Sequence, residues 1–184
     1  LSSRRQRQMC IRDSYKLMDG RKAKFITAIG MFYDLDDPNK FIYSVNESLH
    51  DEGIFIAQLM TLAPMLEMKD LGNVCHEHLE YYSYKSLVKL YEQNGLEIFK
   101  VKRNDIQGGS YQLWARKLNK GSIEFEEDIA SLETFMYNVE RNGKLLRTVL
   151  TDAKKQGSKA YVYGASTKGN TCLLYTSPSP RDAY

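Results

Sequence analysis

The sequence predicts an α/β fold, and three observations carry that prediction. Two apolar runs flank one amphipathic helical pattern near the amino-terminal side. A glycine pair joins two further strand-like runs. A long helical pattern then leads into a final apolar run that meets a glycine-rich segment. Strand, helix and strand at the first spacing form a parallel crossover unit.

Residues 24–29 are the first run, mostly apolar and suited to a buried strand. Asp36 and Asp37 ahead of Pro38 supply a helix N-cap and a proline for the first turn. Phe41, Ile42, Val45 and Leu49 then share one helical face, and Gly53 is expected to close the helix. Residues 54–59 are a second strand of the buried type. Ser83 is placed to cap a helix carrying Leu87, Leu90 and Tyr91, with Gly95 as its stop. Residues 96–102 and 110–117 read as strands joined through Gly108 and Gly109, which predicts an antiparallel pair. The pattern over 126–156 is helical, with a break expected near Asn142 and Gly143. Its stripes are Ile129, Leu132, Phe135, Met136 and Val139, then Leu145, Leu146, Val149 and Leu150. Residues 159–163 start another strand, which opens a further α/β unit.

The two ends read differently. Residues 4–14 and 172–182 look like translations of one sequencing-library adapter taken from opposite strands, and such scars stand outside fold reasoning. A basic arm and a disordered Pro/Ser tail are the alternative. With residues 1–14 and 172–184 set aside, the formal net charge of +3 disappears, because Arg4, Arg5, Arg7 and Arg12 oppose only Asp13. A neutral remainder gives no electrostatic support for nucleic-acid or anionic-membrane partners. No apolar run approaches the roughly 20 residues that span a bilayer. Cys75 is then the single thiol, and one thiol forms no internal disulfide, which fits a reducing cytoplasm.

The densest group of proton-transfer side chains is Cys75-His76-Glu77-His78-Leu79-Glu80-Tyr81-Tyr82-Ser83. Imidazole is the side chain best suited to move a proton near neutral pH, and a neighbouring carboxylate can orient a substrate hydroxyl. A metalloprotease helix would need histidines four apart, but Glu80 stands where the partner of His76 should be. A metal site on Cys75, His76 and His78, or a helix-entry segment whose histidines satisfy backbone groups, remain alternatives. If residues 76–78 are extended, His76 and His78 share a face and Glu77 points away; all three converge only if the backbone turns there.

Gly30-Met31-Phe32-Tyr33-Asp34 follows the first strand, where ligands bind in open parallel sheets, or it is an ordinary connection. Gly164-Ala165-Ser166-Thr167-Lys168-Gly169-Asn170-Thr171 nearly matches a phosphate loop, but Asn170 replaces the lysine. Its backbone N–H groups can still cradle an anion beside Lys168, or the glycines serve packing alone. Gly108-Gly109-Ser110 is a hairpin connection that can also meet a ligand.

Taken in this order, these motifs resemble the S-adenosylmethionine-dependent sugar C-methyltransferase family, over nearly all of residues 15–171. The resemblance implies a Rossmann-like class I methyltransferase sheet, here its C-terminal half, in residues 15–118. It implies a helical linker over 119–156 and the start of a second Rossmann-like domain at 157–171. It further implies a cofactor loop and a zinc-binding domain upstream of the chain, hence no metal within it, and no turnover by the chain alone. The implied reaction is methylation of a carbon next to the keto group of a nucleotide-linked deoxysugar. In it His78 is the base, Glu77 holds a substrate hydroxyl and His76 orients or shuttles. Met31, Phe32 and Tyr33 are implied for the cofactor. Cys75, Tyr82, Gly108, Gly109, Ser110, Ser166, Thr167 and Lys168 are implied for the substrate. Family members often have tyrosine where Cys75 stands. A non-catalytic α/β module that binds a sugar nucleotide is the other reading. Oligomeric state, the sugar and the methylated carbon are not legible.

Overall fold

The computed structural model describes residues 20–75, 77–106 and 109–161. The chain is mixed α/β and divides into two compact units, Leu1–Leu62 with Leu79–Glu127, and Ala63–His78 with Asp128–Tyr184. The adapter-like segments and the glycine-rich segment 164–171 lie outside the described residues. Of the strand expected over 159–163, residues 159–161 carry no regular structure and the rest is outside the described part.

The first unit holds a four-stranded sheet in the order β1-β2-β4-β3. Strand β1 is Ala23–Ile29, helix α1 Pro38–Ser48 and strand β2 Leu49–Met60. Strands β1 and β2 are parallel, as the crossover reading requires. Strands β3 (Leu96–Asn104) and β4 (Ser110–Lys117) form the expected antiparallel pair, and β4 inserts between β2 and β3. The Asp37 side chain accepts the Lys40 N–H at 2.9 Å, with Pro38 at the start of α1. A second helix of this unit, Tyr84–Glu92, begins in a capping box between Ser83 and Ser86 and ends at Gly95, whose φ is +80°.

Gly53 does not close α1. The helix ends at Ser48, where the Leu49 N–H turns back to the Asn46 and Val45 carbonyls, and Leu49 already belongs to β2. Gly53 sits where the β1–β2 register jumps from Ala23↔Leu49 to Phe25↔Ile54. A Cβ there would meet Leu49 Cδ1 at 2.8 Å and the Ala23 and His50 carbonyl oxygens at 2.9 Å. The glycine therefore permits a bulge, not a helix stop.

Phe41, Ile42 and Val45 of α1 and Leu87 and Tyr91 of the Ser83-capped helix pack with Phe55, Leu59, Leu96, Ile98 and Leu113 of the sheet in one core. Each such side chain contributes about 1.5–3 kcal/mol by leaving water. Strand β1 departs from the buried reading: Ala28 is buried, but Phe25 is 69% and Ile29 64% exposed. Alternate residues of a strand face opposite sides, and among the described residues only the side carrying Ile26 and Ala28 meets the core.

The second unit contains all but the first residue of α2 (Leu62–Met68), a short 3₁₀ turn Leu71–Asn73, and the long helix Leu132–Lys155. The first two were not expected from the residue pattern. The long helix starts six residues later than the pattern suggests, capped by Ser131, and it is unbroken at Asn142-Gly143. Glycine weakens a helix interior by about 1 kcal/mol but keeps its N–H, so it need not break the ladder. Gly143 lies buried in line with Phe135 and Val139. The second stripe, Leu145, Leu146, Val149 and Leu150, is exposed.

Candidate active site

In the second unit, the approach to His78 is a chain of local turns. Lys69 ends α2 in the left-handed region, at φ +56°. Its N–H donates to the Leu66 carbonyl at 3.3 Å and that of Asp70 to Met65 at 3.0 Å, a Schellman closure with lysine in the glycine position. Asp70 then accepts the Gly72 N–H at 3.0 Å and starts the 3₁₀ turn. That turn presents the Asn73 carbonyl, which accepts the Cys75 N–H at 3.1 Å and the His78 Nδ1–H at 2.8 Å. The His78 N–H closes back on the Cys75 carbonyl at 3.1 Å.

The backbone therefore turns between Cys75 and His78, the condition that the sequence left open. Cys75 and His78 are half-buried and Glu77 is exposed. His76 lies outside the described residues. A carbonyl oxygen can only accept, so Nδ1 carries a proton and the neutral imidazole has its lone pair on Nε2. Asn73 is thus a residue of the candidate site that the sequence did not reveal, because its part is played by the backbone. Among the described residues, no three His, Cys, Asp or Glu side chains gather to hold a metal ion.

In the first unit, the carboxyl ends of β1 and β2 carry the other expected residues. Gly30, at φ +64°, donates its N–H to the Gln58 carbonyl at 2.9 Å. Phe32 and Tyr33 turn their side chains into the core, and Met31 alone of the expected cofactor residues is half-buried at the edge. The Tyr33 carbonyl accepts the N–H groups of Leu79 (2.9 Å) and Glu80 (3.3 Å). This fixes the strand-like path from Leu79 toward Ser83. Tyr82 on that path is buried with its ring edge-on to Phe32 at 5.4 Å. Burial, and then the charge of Glu80, pushes its phenol well above the usual range.

Ser110 pairs with Met60 at the same end of β2. Its hydroxyl is buried and donates to the Ile106 carbonyl at 2.7 Å, with Asn104 Oδ1 at 3.1 Å. Gly109, at φ +107°, makes the turn possible. Gly108, Ser166, Thr167 and Lys168 lie outside the described residues. Glu127, also missed in the sequence, accepts the Tyr84 N–H at 2.8 Å and the Tyr111 hydroxyl at 3.0 Å. It satisfies a helix N-terminus immediately after Ser83.

Residues 105–181 match a family described as the C-methyltransferase C-terminal domain. The chain is 24% identical over 166 residues to C-methyltransferase NovU of Streptomyces niveus, covering 82% of this chain and 39% of that protein. Both matches are to C-methyltransferases. It spans about 39% of the length of that curated relative. Solved structures are more distant. One is LepI in complex with SAM, 10% identical with a TM-score of 0.44, over 53% of this chain and 27% of that one. Another is an O-methyltransferase family protein from Burkholderia thailandensis, 12% identical with a TM-score of 0.39, over 57% and 33%. No helix among the described residues is long and apolar enough to cross a membrane.

Proposed function

We propose that this chain is part of an S-adenosylmethionine-dependent enzyme that methylates a carbon next to the keto group of a nucleotide-linked deoxysugar. The observation that carries the chemistry is the 2.8 Å contact from His78 Nδ1 to the Asn73 carbonyl. It makes Nε2 the basic nitrogen and holds the ring, as a general base on a carbon acid requires. His78 Nε2 takes the proton from the carbon beside the ketone. Glu77 accepts a hydrogen bond from a sugar hydroxyl, and His76 orients the base or relays its proton. S-adenosylmethionine, when bound, supplies the methyl group as an electrophile and needs no metal for it.

Met31 and the backbone around it fit one wall of the cofactor site, since Phe32 and Tyr33 spend their side chains on the core. Cys75, Gly108 and Gly109, with Ser166, Thr167 and Lys168, are assigned to the sugar nucleotide. In this reading residues 15–118 belong to the methyltransferase sheet, 119–156 link, and 157–171 open the domain that encloses the substrate. The family match, to a C-methyltransferase C-terminal domain over 105–181, supports a C-terminal domain in that part of the chain and overlaps the sheet assignment at 105–118.

The test is hydrogen exchange at the carbon next to the ketone, in the intact enzyme, in deuterated water without methyl donor. His78→Ala should slow exchange and turnover by about 10²–10⁴-fold while cofactor binding is kept. Wild-type-like exchange in the variant removes His78 as the base. Sugar-nucleotide binding with neither exchange nor methyl transfer in the wild type would establish the non-catalytic module instead.

A further inference from the structure

The pair Asn-Gly occurs twice, at Asn94-Gly95 and at Asn142-Gly143. It is a chemically labile pair, because glycine has no side chain to shield its own nitrogen from the neighbouring asparagine amide. Asn142 is exposed, and Gly143 lies within the unbroken long helix. Asn94 and Gly95 instead make the turn from the Tyr84–Glu92 helix into β3. There the atoms that would react are engaged. The Gly95 N–H donates to the Glu92 carbonyl at 3.0 Å. Asn94 Nδ2 donates to the Leu90 carbonyl at 2.8 Å and to Asn39 Oδ1 at 3.0 Å. The Asn94 carbonyl accepts Asn46 Nδ2 at 3.0 Å. The glycine is also required: Gly95 has φ +80°, and a Cβ there would meet Asn46 Nδ2 at 2.5 Å. The turn thus needs the labile pair and ties up the atoms that make it labile.

We infer that Asn94 is a latent modification site, which the fold protects and any opening of this turn exposes to deamidation. In the reaction the Gly95 nitrogen bonds to Asn94 Cγ and the Cγ–Nδ2 bond breaks. The departing amide takes the Gly95 amide proton and leaves as ammonia. Water then opens the succinimide ring. Opening at Cγ gives aspartate, and opening at the backbone carbonyl gives isoaspartate, whose main chain runs through Cγ. In the native turn both the nucleophile and the leaving group are held by hydrogen bonds, so attack waits for local opening. Neither product suits the turn. A carboxylate can only accept, and at position 94 it would face the Leu90 carbonyl and Asn39 Oδ1, two acceptors that Nδ2 now serves. Isoaspartate in addition lengthens the connection between the helix and β3. A chain that stays open here is therefore altered in a way that weakens its return. The inference does not depend on the methyltransferase reading.

The test is peptide mapping by mass spectrometry after the chain has been held at mildly alkaline pH, in buffer and in urea that unfolds it. The amide-to-acid mass change at Asn94 should be at least about tenfold slower in buffer, since it proceeds only from the opened fraction. A smaller difference overturns the inference, and this measurement needs no variant to fold. Asn94→Asp places the product in the turn directly. It should lower the folding equilibrium constant by at least about tenfold, in urea unfolding followed through Trp114 fluorescence, because two hydrogen bonds are lost and like acceptors are opposed. Wild-type stability in that variant overturns the inference as well.

Discussion

Glu97 and His78 are both held by backbone groups, yet the two sites are built in opposite senses. Glu97 is wholly buried. Its Oε2 accepts the N–H groups of Asn119 (2.8 Å), Lys120 (2.6 Å) and Gly121 (2.8 Å), and its Oε1 accepts Arg116 Nε at 2.7 Å. His78 is half-buried, with one ring nitrogen fixed by one carbonyl. A carboxylate with both oxygens saturated by its own chain cannot serve a ligand; it can only hold a loop. A ring oriented at one nitrogen keeps proton chemistry at the other. The fully buried carboxylate is therefore the structural one, and the half-buried histidine is the candidate for chemistry.

The largest effect should come from removing the saturated group. Glu97→Ala strands the half-exposed Arg116 guanidinium and three loop N–H donors, and should cost about 1–3 kcal/mol. The check is the urea midpoint read by Trp114 fluorescence. A loss under about 1 kcal/mol would mean that the 119–121 loop is held elsewhere.

A pH titration sharpens the same point. Burial raises the Glu97 pKa, but the Asn119, Arg116, Lys120 and Gly121 donors outweigh it and hold the carboxyl at about 2, against an ordinary 4.5. Between those values the unfolded chain binds the proton and the folded chain does not, so stability rises with pH. The contribution is complete above about pH 4.5 and is lost as pH falls toward 2. The stability gap between wild type and Glu97→Gln should accordingly shrink across that window. A gap independent of pH would show that the carboxylate charge does not matter.

His78→Ala should move stability by less than about 1 kcal/mol, since the ring is half-buried and water can replace its Nδ1 hydrogen bond to Asn73. Paired with its large expected effect on hydrogen exchange at the substrate carbon, this separates chemistry from folding. A loss comparable to that of Glu97→Ala would make the histidine a structural residue and bring the two regions together.

What was legible in the sequence follows from range. The Asp37 and Ser83 caps, the Gly95 stop and the β3–β4 pairing depend on neighbours within a few residues, and the structure shows all of them. Gly53 carries the same local signal as Gly95, but its task is set by Ala23 on another strand, so the local reading put it in the wrong element. The apolar run of β1 could not say which face is covered, because coverage is a property of the fold. At the candidate site the side chains Cys75, Glu77 and His78 were visible as a cluster. The Asn73 carbonyl that fixes the imidazole was not, because a backbone group has no signature in residue type. Glu127 and Glu97 act across many residues of chain and were equally hidden.

The last contrast lies in how each region makes its tight backbone turn. The loop that holds Glu97 uses Gly121, at φ +91°, where no side chain has to be accommodated. The route into the His78 turn uses Lys69 at φ +56°, the only described residue other than glycine with positive φ. A Cβ in the left-handed region is disfavoured, and glycine is the usual residue at this place in a Schellman closure. Lys69→Gly should thus stabilise the chain by about 0.5–1 kcal/mol, after allowing for the greater freedom glycine gives the unfolded state. Both closing hydrogen bonds, Lys69 N–H to Leu66 and Asp70 N–H to Met65, use backbone atoms and survive the change. Thermal unfolding of the chain tests it. A destabilised variant would mean that the lysine side chain makes an interaction worth more than the strain, and the entry to the candidate site would then be fixed by a side chain as well as by its backbone.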